Sequence, residues 1–222
     1  MSALLRYQLA LLGRSQKWLA PVLLYAAFLA IGIQGGQPVL DSLGYGSAIL
    51  LPVAAWLTRV CVTNEPPAAR ACVAAATGPG RAHLAALLTA FGCTAALGAL
   101  GTGLVLAISK WADTENTVRI DPVAAGAAGL LAAAVCALLG TAVGALGTWP
   151  LLRGTGWGVT LTALGALLAL VTAGSPARSA VTGLVTGSHT GTVDLPYSAL
   201  VGALLLAGAA GAVVCALSAR RA

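Results

Sequence analysis

Charged residues are scarce in this chain, and its long apolar segments have none near their centres. Of 222 residues only 8% are charged, whereas 59% are hydrophobic. A soluble domain of this length would spread charges over its whole surface. Proton-driven pumps and secondary transporters need titratable or cation-binding groups at mid-membrane depth, and intramembrane proteases need acids, histidines or Ser/Lys pairs there. The scarcity therefore disfavours all of these classes, except a carrier that binds its ion through backbone carbonyls at broken helices.

A phosphate-binding loop and a metal-binding cluster are also missing. No GxxxxGK[ST] string occurs, so any ATP hydrolysis belongs to a separate chain. The cysteines have no CxxC spacing and the two histidines are isolated, which predicts neither a disulfide nor a metal site. We predict no catalytic residue and do not expect an enzyme. The five cysteines are Cys61, Cys72, Cys93, Cys136 and Cys215, and the two histidines are His83 and His189.

What the chain does contain is a series of apolar segments. They run for roughly 17 to 27 residues, about what an α-helix needs to cross a ~30 Å hydrocarbon core. The sequence therefore predicts an all-α polytopic membrane protein, a single transmembrane domain over residues 1–222 with six spans. The predicted spans are Trp18–Ile33, Ser42–Val60, Ala82–Ser109, Pro122–Thr148, Trp157–Gly174 and Leu195–Leu217.

The basic residues are distributed unequally about these spans. Nine of the twelve fall on one predicted side with a single acid, Glu65, whereas the other side has three basic residues and five acids. By the positive-inside rule, both termini are expected to be cytoplasmic in a multi-pass protein of the cell (inner or plasma) membrane. The pI of about 9.4 then reflects topology and contact with anionic membrane lipid, not nucleic acid. The nine are Arg6, Arg14, Lys17, Arg59, Arg70, Arg81, Arg153, Arg220 and Arg221.

The first 17 residues have the pattern of an amphipathic helix. Leu5, Leu9 and Leu12 share one face at the helical step of 100°, and the basic residues lie on another. We expect residues 1–17 to lie in the membrane interface. The alternative is a frayed basic tail that only follows the topology rule.

The longest predicted cytoplasmic connection, Arg59–His83, contains the strings NEPPAAR and ATGPGRAH. Thr63 or Asn64 can cap a helix, the two prolines suit its first turn, and the Gly-Pro-Gly string ends it. The sequence thus predicts a short rigid helix over residues 65–77. An ordinary surface helix that shortens a loop is the alternative.

Glycine marks several other segments. Gly32/Gly36 and Gly140/Gly144 have the GxxxG spacing that allows close helix packing in lipid. Residues 175–194 are too polar to cross the membrane, and their glycines repeat every four residues. We expect this segment to be external or re-entrant, with a glycine strip along a helix if it is helical and a plain mobile loop otherwise.

The order of these parts resembles the ABC-2 type permeases of ATP-binding-cassette exporters, especially the small actinobacterial type. The resemblance implies that residues 65–77 are the coupling helix that docks into an ATPase subunit. It also implies a second permease subunit, identical or not, and ATP and Mg²⁺ on the partner ATPase with no cofactor in this chain. The implied contact residues are Glu65 and Arg70, which are polar, and Ala68, Ala71 and Ala75, which are available for burial.

We therefore expect a permease subunit that exports a hydrophobic or amphipathic molecule, such as an antibiotic, a peptide or a lipid-like compound. Its apolar walls suit such cargo without identifying it or the residues that bind it. The alternatives are a non-transporting membrane assembly or immunity factor, and an ion-coupled carrier or channel. Association with an ATPase would distinguish the permease subunit from both alternatives.

Overall fold

The computed structural model describes residues 1–115, 117–148 and 155–221, and these residues form an all-helical protein without β-strands. Arg153, one of the nine basic residues above, lies outside this range. The helices of the described residues are α1 Ser2–Ser15, α2 Leu19–Gly32, α3 Val39–Thr63, α4 Pro67–Thr77, α5 Pro79–Ile108, α6 Pro122–Leu146, α7 Thr155–Val171, α8 Pro176–Thr190 and α9 Tyr197–Arg221.

Several of these helices are suited to a lipid bilayer. Within the described residues, α3, α5, α6 and α9 are long and apolar enough to cross it. The pair α7 and α8 counts as a fifth candidate if it is one span, bent by 47° at the break. Helix α2 is apolar but has only 14 residues. The structure therefore supports a membrane-embedded protein with four or five spanning helices, and the predicted six spans are not confirmed.

The core of the bundle is the crossing of α3 and α6. A Cβ on Gly129 would meet Leu43, one on Gly140 would overlap Ala54, and one on Gly144 would overlap the backbone of Ala55. These contacts advance together along both helices, so α3 and α6 are parallel. The predicted close packing at Gly140/Gly144 is confirmed.

The other predicted GxxxG pair does not pack helices together. Helix α2 ends at Gly32, and Gly36 lies in the following turn with φ +92°. The ring of Tyr45 occupies the space beside Gly32. Gly32 and Gly36 cannot form one helix face, because the helix ends at Gly32.

Helix α5 runs antiparallel to this central pair. Gly98 of α5 lies against Leu50 and Ala133, whereas Leu106, two turns later, lies against Gly126 at the start of α6. Tyr25 of α2 fills the space beside α5 and donates a hydrogen bond to Gly46 O at 3.4 Å. The antiparallel course brings the end of α3 and the start of α5 together at one end of the bundle.

That end, which we call the basic end, also includes α1 and the last part of α9. Tyr7 contacts Glu65, Arg59 donates to Gly147 O at 3.1 Å, and a Cβ on Gly80 would lie 3.7 Å from Cys215 O in α9. Eight of the nine basic residues lie in or next to these segments and α4, and Arg153 is outside the described residues. The charge grouping seen in the sequence is therefore a grouping in space.

The opposite end is assembled from the connections between helices. Lys110 N donates to Gln37 O and Lys110 O accepts from Val39 N, which joins the start of α3 to the end of α5. Thr114 N donates to Ser188 O at 3.0 Å. The segments of this end contain Asp41, Lys110, Asp113, Glu115, Arg119, Asp121 and Asp194. The one other charge, Arg178, lies at the break between α7 and α8, where it donates to Val171 O.

Residues 175–194 are mostly helical, because α8 occupies 15 of them. The alternative of a plain mobile loop is therefore wrong. Helix α8 packs beside α3 and α9: Gly44 of α3 meets Val185, and Gly202 of α9 meets the ring of Pro176. The segment thus lies alongside the bundle and does not simply project beyond it.

The predicted glycine strip on α8 is not a common contact face. Gly183 has nothing near its Cβ position, Gly187 lies against the Thr192 carbonyl, and Gly191 ends the helix with φ +70° beside Val118. The three glycines therefore serve different purposes. Close contact between α8 and α3 depends on Gly44 instead.

The N-terminal segment forms the predicted helix, α1, and not a frayed tail. Leu12 is buried and Leu5 is half-buried, but Leu9 is 50% exposed and Gln8 is buried. The buried face is therefore rotated from the predicted leucine stripe. It packs against α5 and the end of α3. Its position in the membrane interface stays a prediction.

Candidate functional site

Helix α4 is the best candidate site because it stands at the basic end between two long apolar helices. It begins after Pro66, which has φ −59° and ψ 145° and makes no side-chain cap. The predicted caps are wrong: Thr63 Oγ1 donates back to Arg59 O, and Asn64 Nδ2 donates to Leu11 O. Asn64 is still helical, with φ −74°, because α3 continues to this point.

The end of α4 is set by one glycine. Gly78 N donates to Ala74 O at 2.8 Å, and Gly78 has φ +87°. L side chains rarely adopt that backbone conformation, so glycine is needed here. Gly78 also precedes α5, whose first residue is Pro79. A single residue therefore defines the angle between the two helices.

No residue of α4 is buried, although the helix lies between the ends of α3 and α5. Ala68, Cys72 and Ala76, spaced four residues apart, are all exposed. They form a face of small side chains that we call the outer face. Such a face allows another helix or a groove to approach the α4 backbone closely.

The structure separates the five predicted ATPase contacts into three groups. Ala68 belongs to the outer face, whereas Ala71 and Ala75 are exposed but border a cavity beneath α4. Glu65 and Arg70 are turned to partners within this chain. Whether any of them meets an ATPase stays a prediction.

Glu65 is only 7% exposed and accepts a hydrogen bond from Tyr7 Oη at 3.0 Å. This contact joins α1 to the junction of α3 and α4. Burial raises the pKa of Tyr7 above its ordinary value of 10.0, and the hydrogen bond to Glu65 and its negative charge act in the same direction. Protonated Tyr7 is thus the form that holds the two segments together.

Arg70 stabilises the end of α3. Its Nη2 donates to Val62 O at 2.7 Å and to Glu65 O at 3.4 Å. The last carbonyl groups of a helix lack partners within the helix and carry partial negative charge, so a guanidinium is favourable there. Arg70 therefore fixes α4 against α3 from within.

Helix α1 completes the anchorage. Besides the contacts of Tyr7 and Asn64, Leu12 packs in a small buried cluster with Val60, Cys61 and Ala90. Helices α1, α3, α4 and α5 thus share one connected set of contacts. A force on α4 would be transmitted to both long helices and to α1.

Between α4 and the ends of α3 and α5 lies a cavity of about 550 Å³. Alanines from α4 and α5 form much of its wall, and Glu65, Arg70 and His83 contribute polar groups. His83 is 8% exposed, and its Nε2 has no hydrogen-bond partner among the described residues. The cavity explains why α4 buries none of its residues.

The burial of Glu65, its bond to Tyr7 and the cavity were not predicted from the sequence. The sequence contained one indication that Glu65 has a partner. Glu65 is the single acid among the basic residues of its predicted side. Within the described ranges, no three His, Cys, Asp or Glu side chains gather to hold a metal ion.

No known protein family, curated protein or solved structure matches this chain.

Proposed function

We propose that this chain is the transmembrane permease subunit of an ABC exporter, driven by ATP hydrolysis in a separate ATPase subunit. The observation that carries the proposal is α4, a helix without buried residues that is anchored to α1, α3 and α5 at the basic end. A rigid exposed helix joined to two long helices can pass a partner's movement into the bundle. In this proposal α4 is the coupling helix.

The orientation follows from charge. The basic end faces the cytoplasm, because basic residues are retained there, and both termini lie on that side. Helices α2 and the bent pair α7–α8 supply the two further spans that bring the total to six. At 1.5 Å per residue α2 is about 21 Å long, so it crosses only with help from its flanking residues or a locally thinned bilayer.

The ATPase contacts the outer face of α4. Ala68 is the residue of the predicted set that lies on it, and Cys72 and Ala76 extend it by two turns. Glu65 and Arg70 act as positioning residues, because their contacts with Tyr7 and with the end of α3 set the angle of α4. Ala71 and Ala75 contribute at the edge next to the cavity.

A second permease subunit and the cargo would use the apolar surfaces of the bundle. Helix α9 exposes Leu204, Leu205 and Leu206, of which Leu205 is 70% exposed. Lipid or a second copy of the chain can cover such a face. The absence of fixed charge there suits a hydrophobic or amphipathic cargo, exported from the cell.

One observation favours a second candidate, an ion-coupled carrier. The break between α7 and α8 exposes helix ends of the kind that bind ions in carriers. However, Arg178 Nη1 donates to Val171 O at 2.8 Å, which places a fixed cation at the end of α7. We therefore prefer the ATP-driven reading.

Copurification tests the proposal. The tagged chain, extracted from membranes of the source organism, should bring with it an ATP-binding-cassette ATPase. Ala68→Arg should reduce the recovered ATPase about tenfold or more, because a charge would be forced into a packed contact. Gly35→Arg adds the same charge at an exposed position of the opposite end and should have no effect. Equal ATPase recovery with both variants, or none with the unmodified chain, would reject the proposal.

A further inference from the structure

The cavity beneath α4 has the size of a ligand site. Pockets for small molecules measure about 300–1,000 Å³ and are lined mainly by apolar groups with a few polar ones. This cavity, of about 550 Å³, lies within that range and is walled by residues such as Cys61, Val62, Ala82 and Ala86. Its apolar walls favour an apolar occupant.

One polar atom of the wall lacks a partner. His83 is more than nine-tenths buried and lines the cavity, and its Nε2 makes no hydrogen bond within the described part of the chain. A buried polar atom without a partner costs free energy, which a ligand recovers by supplying the missing bond. His83 therefore identifies where the polar group of an occupant would bind.

The charged groups of the wall already have partners. Glu65 accepts from Tyr7, and Arg70 donates to the carbonyl oxygens of Val62 and Glu65. A charged ligand would have to displace these bonds or remain uncompensated in an apolar space. The occupant is therefore uncharged.

We propose that this cavity binds a small, uncharged, mainly apolar molecule with one hydroxyl group, which pairs with His83 Nε2. A hydroxyl both donates and accepts, so it serves either tautomer of the imidazole. The proposal goes beyond the exporter function and requires no ATPase. Its success or failure is therefore independent of that function.

Equilibrium dialysis with 1-naphthol tests the site. The purified chain in lipid nanodiscs is compared with empty nanodiscs, which correct for partition into lipid. Naphthalene, which lacks the hydroxyl, is the matched probe. We expect saturable binding of 1-naphthol to the chain, roughly tenfold tighter than that of naphthalene, the ratio that one net hydrogen bond gives.

Three variants locate the binding. His83→Leu should bind both probes with equal affinity, because the hydrogen bond is lost and the apolar walls remain. Ala75→Leu should weaken binding of both, because its longer side chain would occupy part of the cavity. Ala76→Leu, one residue along α4 on its outer face, should bind like the unmodified chain.

The results that would overturn the proposal are equally specific. They are binding no greater than to empty nanodiscs, equal affinity of the unmodified chain for the two probes, or undiminished binding to Ala75→Leu. If His83→Leu does not fold, the comparison of Ala75→Leu with Ala76→Leu decides where the probe binds. Both changes lie on an exposed helix and leave the bundle core untouched.

Discussion

At the scale of single residues, packing in this bundle depends on which glycines face a neighbouring backbone. Gly140 faces Leu51 O and Ala54 of α3 so closely that a methyl group has no room. Gly92 of α5 is also helical but has nothing within 4 Å of its Cβ position. Both glycines lie in apolar helical sequence, but only position 92 has room for a side chain.

Gly140→Ala should therefore destabilise the protein, and Gly92→Ala should not. Overpacking a close contact typically costs about 1–3 kcal/mol, whereas alanine in an open helical position gains up to about 1 kcal/mol over glycine. Thermal unfolding in detergent, followed by tryptophan fluorescence, measures both. Equal midpoints for the two variants would contradict the close α3–α6 crossing.

The contact between Tyr7 and Glu65 predicts a dependence on pH. Because the pKa of Tyr7 is raised above 10.0 by burial and by Glu65, the folded chain holds the phenol proton more tightly than the unfolded chain. The stabilisation is present below pH 10 and is lost as pH rises through the folded value. The phenol must keep its proton to donate to the carboxylate.

Tyr7→Phe should therefore unfold at a lower temperature than the unmodified chain at pH 8, and this difference should shrink above pH 10. Tyr197→Phe, an exposed tyrosine at the start of α9, controls for general alkaline effects. A difference between Tyr7→Phe and the unmodified chain that stays constant from pH 8 to pH 11 would show that the phenol is not a stabilising donor.

At the scale of elements, the turn between α4 and α5 holds the proposed docking helix at its angle. Gly78 has φ +87°, whereas Gly80, two residues later, has no positive φ and only an ordinary contact of 3.7 Å at its Cβ position. A side chain at position 78 forces the backbone out of this conformation. The same change at position 80 does not.

Gly78→Ala should cost about 1–3 kcal/mol, the usual range for a residue held in a disfavoured backbone region, and should speed hydrogen exchange at the α4 amides. Gly80→Ala should leave both stability and exchange nearly unchanged. Mass spectrometry of exchanged peptides makes the comparison. Equally slow exchange in Gly78→Ala would show that the turn does not hold α4.

The elements whose limits depend on local chemistry could be predicted from the sequence. Gly78 and the neighbouring prolines predicted the limits of α4 to within two residues, as 65–77 against the observed Pro67–Thr77. The scarcity of charge identified the apolar helices. Glu65 is different, because its burial depends on Tyr7, 58 positions away. The cavity likewise depends on how α3, α4 and α5 meet, which no local pattern records.

The position of helix α8 also could not be predicted from local sequence. Its polar composition predicted an external or re-entrant segment, and the structure packs Ala177, Ala180 and Leu184 into the core. Small residues at helical spacing are compatible with either position. The contacts of α8 with Gly44 of α3 and with Gly202 of α9 distinguish the two positions.

At the scale of the whole molecule, the two ends of the bundle differ in charge. The antiparallel course of α5 relative to α3 and α6 gathers eight of the nine basic residues of the predicted cytoplasmic side at one end. The acids other than Glu65 gather at the other. The positive-inside rule predicts that the basic end faces the cytoplasm.

Cysteine labelling tests this orientation. In a background with the other four cysteines replaced, Cys72, which is exposed on α4, should react with a membrane-impermeant maleimide only after permeabilisation of intact cells. In a cysteine-free background, a cysteine in place of Glu115 at the opposite end should react without permeabilisation. The reverse result would invert the topology.

The proposed exporter function requires that an ATPase subunit docks on the outer face of α4. A photo-crosslinker attached to Cys72 in membranes of the source organism, followed by mass spectrometry of the crosslinked product, would identify the protein that contacts this face. We predict an ATP-binding-cassette ATPase joined through Cys72, and none when the crosslinker is carried at position 115 instead. Crosslinks from Cys72 only to lipid or to proteins without an ATP-binding cassette would contradict the claim.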